Sequence, residues 1–407
     1  MASNAKNLAE LLNTDTTVAV ADVADGSITT AKLAADAVTT AKIADDAVSS
    51  AKLFATNLGR RNVIINGAMQ VAQRGTSATG RGASSNFLVD RFRANHNGNS
   101  AGRYTVSQVS DVHDGFTTAL KYDCTTADTS IGSSERFFIE YPMEGQDLQQ
   151  FRKGSSDAKD FVVSFYAKAN GNFTYVVGFY DADNNRTVSR TFAVTSSWQR
   201  FTINFGADTS GAFGNDNALS LQLRWYLHAG SGYTSASLQT SWNAVNNAAT
   251  AGGMTSSFFS STDNTFFLTG VQLEVGDKSD GTSVATDFEH RSFAEEFALC
   301  ERYFFTTYNY GATIGAASSA SYLGRFLDDT QGYGSLQVPT VAMRASPTRV
   351  IYNPSTGTTG QARTDTTNVA AAITATDVKG GGWIYVNNSS VGKSVSLKAH
   401  ITMDAEL

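Results

Sequence analysis

Leu219-Ser-Leu-Gln-Leu-Arg-Trp-Tyr-Leu227 alternates apolar and polar side chains without a break. Successive side chains of an extended chain leave opposite faces. The segment therefore reads as a strand with Leu219, Leu221, Leu223, Trp225 and Leu227 toward a core and Ser220, Gln222, Arg224 and Tyr226 away from it. Phe161, Val163 and Phe165 repeat the pattern upstream, as do Phe201, Ile203 and Phe205. Downstream, Phe267, Val271, Leu273 and Val275 repeat it around Gly270. Turn-forming stretches, Asp183-Asn-Asn185 and Gly211 to Asn217, separate these runs. Many short alternating strands with polar turns predict a two-sheet sandwich or jelly roll.

Working outward, Asn62 to Gly75 carries Asn66-Gly67, a strong turn signal between two apolar runs. The sandwich is expected to fill residues 58–291. Ser292 and Glu295 have the spacing of a capping box, and Phe293, Phe297, Cys300 and Phe304 form one apolar helical stripe. A connecting helix is predicted over 292–304. Residues 305–407 read as a smaller C-terminal β-sandwich, the tip. There Val395, Leu397, Ala399, Ile401 and Met403 alternate, and Trp383-Ile-Tyr-Val386 is a second strand entered through three glycines. Pro339, Pro347 and Pro354 suit edges and loops, and Ser355 to Gly360 reads as a polar loop.

Toward the N-terminus a decapeptide recurs, starting at Ile28, Val38 and Val48, with lysines at 32, 42 and 52 and apolar residues at Leu33, Ile43 and Leu53. Such a period marks a stacked or fibrous unit. At 3.6 residues per turn, ten residues rotate an apolar stripe by roughly 80° per repeat. One continuous helix is thus a poor fit, and a single unit has too little apolar surface to offset its ordering entropy. Residues 28–57 are read as a shaft completed by sister chains, with a flexible Ala/Thr/Asp linker as the alternative. Residues 1–27 are read as a docking segment; Asn4 to Leu12 has the pattern of two or three helical turns, too short to be stable alone.

Composition narrows the function. The 407 residues carry a formal net charge of −6 and no Lys/Arg cluster, a poor surface for nucleic acid. Cys124 and Cys300, the two cysteines, build neither a disulfide framework nor a zinc site, consistent with assembly in a reducing cytosol. Neither a secretion signal nor a membrane span is recognisable. The histidines (His96, His113, His228, His290, His400) have no metal spacing, and no Gly-x-Ser-x-Gly, His-Glu-x-x-His or phosphate-binding loop occurs. Glu295-Glu296 and Asp328-Asp329 are adjacent pairs whose side chains diverge. No catalytic or metal-binding residue and no cofactor is expected, although a glycosidase needs only two carboxylates about 5 to 9 Å apart in space.

The decapeptide Ile/Val-Thr-Thr-Ala-Lys-Leu/Ile-Ala resembles the shaft repeat of tail fibres of tailed bacteriophages, especially marine and cyanobacterial ones. Gln73-Arg74-Gly75 with Asp90-Arg91-Phe92, Ser197-Trp198-Gln199-Arg200, Phe267 to Gly276, Phe288 to Ser292 and Cys300-Glu301-Arg302-Tyr303 resemble, in order, later parts of the same family. The resemblance runs from about residue 26 to 305. It implies a parallel homotrimer made in the host cytoplasm and placed on the virion. Its N-terminus would sit on a tail or baseplate protein, with the C-terminus outward against a surface glycan or receptor, without membrane insertion. The sandwich is also similar to carbohydrate-binding jelly rolls. There the Val-Gln-Leu-Glu strand is a core element, so no ligand contact is expected of Gln272 or Glu274.

Sugar binding wants aromatic faces and fixed polar groups at a shallow surface. Tyr226, Tyr233 and Trp242 are candidates in the sandwich, and Tyr308, Tyr310, Tyr322, Arg325, Tyr333 and Trp383 in the tip. The alternative for each is burial at a core edge or trimer interface. Receptor binding, depolymerisation of host polysaccharide as a tailspike-like enzyme, and a structural adaptor between the tail and another fibre are the functions left open.

Overall fold

The chain divides into two compact units, Met1–Thr56 and Asn57–Leu407. The computed structural model describes residues 60–82, 86–276, 278, 281–318, 323–326, 333–336, 341–374, 382–386 and 396–407, with Thr29 alone in the first unit. The docking segment 1–27 and the rest of the shaft 28–57 therefore lie outside the described residues.

The second unit is mainly β. Its first strands are β1 (Ser77–Arg81), β2 (Asn86–Phe87), β3 (Arg93–Asn97), β4 (Arg103–Val109), β5 (Ala119–Thr126) and β6 (Arg136–Glu144). Then come β7 (Phe161–Ala169), β8 (Phe173–Asp181), β9 (Arg186–Val194), β10 (Gln199–Phe205), β11 (Leu219–Ala229), β12 (Asn243–Ala244) and β13 (Thr265–Val275). They form a six-stranded sheet, β1-β4-β5-β13-β7-β10, and a seven-stranded sheet, β12-β9-β8-β11-β6-β3-β2. The two pack face to face as a β-sandwich.

The alternation of β11 places Leu221, Leu223, Trp225 and Leu227 in the core with Phe137, Ile139 and Tyr141 of β6. Phe161, Val163 and Phe165 of β7 face them from the other sheet. Phe165 meets Trp225 edge-on at 5.7 Å. Each fully buried side chain of this size contributes about 2 kcal/mol, and a T-shaped ring pair about 1 more.

The parity of β13 differs from the sequence expectation. Gly270 adopts φ +60°, and the pairing with β7 shifts between Thr269 and Gln272. This bulge swaps the faces. Phe266 and Leu268 reach the core before it and Val271 and Leu273 after it. Phe267 lies on the outer side, under Lys168 at 4.6 Å and Lys121 at 5.4 Å. Gln272 and Glu274 are buried; Glu274 accepts from the Thr286 amide at 2.8 Å, and the Gln272 amide donates to Glu274 at 3.1 Å.

Asn66 (φ +61°) and Gly67 make the expected turn. The Asn66 side chain plugs the interior, donating to the carbonyls of Val71 and Asp90 at 2.9 and 3.0 Å. Elsewhere Lys153 is a wholly buried cation. Its ammonium lies 2.6 Å from Asp181 and 3.1 Å from Asp208 and donates to the carbonyls of Ser210 and Gly211 at 2.8 and 2.6 Å.

The helix spans Phe293–Glu301, shorter than the expected 292–304. Ser292 caps it by accepting from the Glu295 amide at 3.3 Å. The Glu295 carboxylate pairs with Arg60 at 2.5 Å. The stripe is only partly internal: Cys300 is buried, whereas Phe293 is 48% exposed. The helix stops because the next two side chains turn to buried Glu144. Arg302 donates to it through Nε (3.0 Å) and Nη2 (2.7 Å), and the Tyr303 hydroxyl donates at 2.6 Å.

Eight further strands follow: β14 (Phe304–Thr306), β15 (Leu323–Phe326), β16 (Tyr333–Leu336), β17 (Thr348–Tyr352), β18 (Gln361–Arg363), β19 (Asn368–Thr374), β20 (Gly382–Val386) and β21 (Ser396–Asp404). Where a second small sandwich is expected, these strands join into one sheet, because long β21 takes different partners along its length. β14 and β17 pair with its end, and β15 and β18 with its start. Leu397, Ala399, Ile401 and Met403 of β21 face a small core with Ile351, Ala362 and Val369.

Charged side chains tie this sheet to the sandwich. Arg74 pairs with Asp90 at 3.0 Å and Asp404 at 3.2 Å while its guanidinium lies 3.7 Å over Phe304. Arg91 pairs with Glu406, and Arg93 donates to the Leu407 carbonyl at 2.8 Å. Burial pushes the Asp90 carboxyl up to about 7, outweighing the opposing pull of Arg74.

Candidate functional site

The outer face of the seven-stranded sheet carries polar rows set by strand pairing. Arg93 of β3, Glu140 of β6, Arg224 of β11 and Gly178 of β8 are neighbours in one row. Gln222, Tyr180 and Thr187 form the next. Gly178 is required here: a Cβ on it would fall 2.4 Å from Ser189 Oγ and 2.5 Å from the Val188 carbonyl.

The chain after β11 folds back over part of this face. Phe138, Val176, Tyr226, Ala229 and Ala251 make a small second core there, with Tyr233, Leu238 and Met254 packed on it. Beside it opens a pocket of about 210 Å³, lined by Arg136, Tyr180, Asn185, Thr187, Arg224, Tyr226, Val245, Asn247 and Thr250. Among the described residues no carboxylate lines it. Glu140 sits behind, 2.5 Å from Arg93 and 3.6 Å from Arg224 Nε.

The arginines are held by rings. Arg224 lies 4.3 Å over Tyr180 and 5.0 Å over Phe138, and it donates to the Tyr226 hydroxyl at 3.3 Å and to Gln222. Arg136 lies 4.7 Å over Tyr233 and donates from Nε to Asn97 at 3.1 Å. Stacked guanidiniums lose little freedom when they bind, and their free edges present several donors. Asn185, Asn247 and the tyrosine hydroxyls add groups that donate and accept.

The expected aromatic platform of Tyr226, Tyr233 and Trp242 is not formed as one exposed surface. Tyr226 lines the pocket but is only 2% exposed, its ring 5.0 Å from Phe138. Tyr233 is half-buried under Arg136. Trp242 enters the main core between Phe161 and Phe179 and donates from Nε1 to the Gly206 carbonyl at 2.9 Å. Its ring thereby buries apolar area that a sugar would otherwise have to cover.

In the C-terminal sheet Tyr308 is buried and stacked on His400 at 4.0 Å. Tyr310 is 47% exposed, beside Phe293 at 5.5 Å and Phe297 at 6.1 Å, and donates its hydroxyl to the Gln70 carbonyl. Tyr322 lies outside the described residues. Arg325 is on β15, paired with Leu397; Tyr333 on β16 pairs with Tyr385, and Trp383 on β20 with Ser335. Of the pocket residues, the alternation of β11 marks Tyr226 and Arg224 together on the outward face. Arg136, Asn185 and Asn247 come from distant segments and carry no periodic signal.

Among the described residues no group of three or more His, Cys, Asp or Glu is arranged to hold a metal ion, and no helix is long and apolar enough to cross a membrane. Both cysteines are buried and free.

No protein-family model matches the sequence, and no curated protein matches it. Solved structures with a similar chain path include a family 4 carbohydrate-binding module (13% identity, 52% of this chain and 97% of that one, TM-score 0.26). Another is the TmCBM61 module in complex with β-1,4-galactotriose (11% identity, 53% and 99%, TM-score 0.27). A third is the enzymatically active domain of tailspike protein 4 from bacteriophage CBA120 (11% identity, 53% of this chain and 21% of that one, TM-score 0.27).

Proposed function

We propose that this chain is a phage tail fibre that attaches the virion to its host by binding surface glycan at the outer face of the sandwich. The observation that carries the binding role is the open pocket in which two ring-held arginines, two asparagines and tyrosine hydroxyls converge. Hydroxyl-rich ligands need this mixture of fixed donors and acceptors. The fibre role is supported by the decapeptide repeat and by the ordered motifs that resemble phage tail fibres.

Binding without cleavage is part of the proposal. Among the described residues no carboxylate lines the pocket, and glycoside hydrolysis ordinarily takes two. A homotrimer is also proposed. Three weak sites per fibre, and several fibres per particle, gain roughly 10²- to 10⁴-fold in avidity.

Purified chain should bind host cells and compete with phage adsorption, and Asn247→Ala and Tyr180→Ala should each weaken binding several-fold. Failure of saturating chain to compete would overturn the attachment role. Mass in solution should be that of a trimer; a monomer at working concentration would remove that part of the proposal.

A further inference from the structure

We infer that the glycan taken at this face is acidic, its carboxylate or sulfate group seated against Arg136 and Arg224. This rests on the proposal that the face is a glycan site.

Four observations converge. First, the positive charge is local: the chain carries net charge −6, yet among the described residues two arginines and no carboxylate line the pocket. Second, the arginines are under-neutralised. Among the described residues Arg136 has no carboxylate within ion-pair distance, 4.0 Å. Arg224 has only Glu140, at 3.6 Å, and Arg93 holds that same carboxylate at 2.5 Å. Third, that one pairing is loose: Arg224 Nε and Glu140 Oε2 face each other at 3.6 Å, and among the described residues neither atom makes a hydrogen bond.

Fourth, the rings are already covered. Arg224 occupies a face of Tyr180 and Arg136 a face of Tyr233, while Tyr226 is buried against Phe138. A neutral sugar stacking on bare aromatic faces finds little to stack on. A group that accepts from guanidinium edges finds the Nη edge of Arg136 and the N–H groups of Arg224 left over from Tyr226 and Gln222, donors of the kind that recognise planar carboxylates and tetrahedral sulfates. The volume, about 210 Å³, is below the usual range for whole ligands and suits one charged sugar residue of a longer chain.

Affinity electrophoresis of the full chain through gels containing polygalacturonate, dextran sulfate or neutral dextran tests this. Retardation is expected in at least one anionic gel, and which one separates carboxylate from sulfate. Arg136→Gln and Arg224→Gln should each weaken that retardation about tenfold, while Arg200→Gln, a control away from the pocket, should not. Arg136 is partly exposed, so its variant keeps the test alive if Arg224→Gln misfolds.

Retardation by neutral dextran that survives both arginine variants but falls in Asn247→Ala would overturn the acidic specificity and leave the glycan site standing. Equal loss in Arg200→Gln would reveal general charge attraction and overturn the inference. Absence of binding to any glycan, on host cells included, would overturn the glycan site itself.

Discussion

Replacing His96 with phenylalanine should remove part of the acid sensitivity of the sandwich. His96 and His228 are both buried and flank Phe259, at 4.9 and 5.3 Å between ring centroids. Burial, helped by His228 and Arg103, pushes His96 down to about 4. Burial likewise pushes His228 down to about 4 against the pull of Asp128, and Glu135 stands 3.6 Å from its Nε2. Both rings are therefore neutral in the fold at pH 5 and protonated in the unfolded chain. The unfolded state binds more protons below its own pKa of about 6.5, so stability is lost as pH falls from there toward about 4 and no further below.

With those two values, one histidine costs about 2 kcal/mol at pH 5 and almost nothing at pH 7.5. Asp90, raised to about 7, acts in the opposite sense, since its folded form holds a proton the unfolded chain has released. Its contribution is common to both proteins and cancels in their comparison. Phenylalanine keeps the ring stack on Phe259 and removes the titration. Urea melts followed by tryptophan fluorescence, with Trp225 and Trp242 in the sandwich core, should show the variant losing about 2 kcal/mol less than the parent between pH 7.5 and 5. Parallel losses in the two proteins would refute the reasoning.

Gly67→Ala should cost the sandwich at least about 2 kcal/mol, because the new Cβ would stand 2.1 Å from the Val271 carbonyl; thermal melting reads it. Lys153→Met should cost about 3 to 5 kcal/mol by leaving Asp181 buried and unpaired, and adding Asp181→Asn should restore a measurable part of the lost melting temperature. Tyr303→Phe should cost about 1 to 2 kcal/mol by deleting the hydroxyl donated to Glu144, with a coupling between it and Arg302→Gln visible in a double-mutant cycle.

Alternation made the sandwich readable: Leu221 to Leu227 and Phe161 to Phe165 face the core as their pattern requires. It misplaced Phe267, because one bulge at Gly270 reverses parity and glycine alone does not announce where the extra residue lies. The helix ends earlier than its spacing predicts for a tertiary reason. Phe304 continues the helical spacing, but Glu144, far away in sequence, captures Arg302 and Tyr303 first. Trp242 sits among Ser, Thr and Asn residues, a setting that leaves platform and core edge both open, and the chain carries it into the core. The pocket was half legible, through Arg224 and Tyr226 on one strand. Arg136 belongs to an aromatic run that reads as core, and Asn247 arrives on a chain return that no local pattern foretells.

The ties between β21 and the sandwich have a mechanical consequence. Asp404 and Glu406, at the end of the strand that holds the C-terminal sheet together, grip Arg74 and Arg91 on the sandwich. A tug on that sheet is thus opposed by several charge pairs loaded at once rather than by a slack tether. Torque applied at one body would turn the other with it.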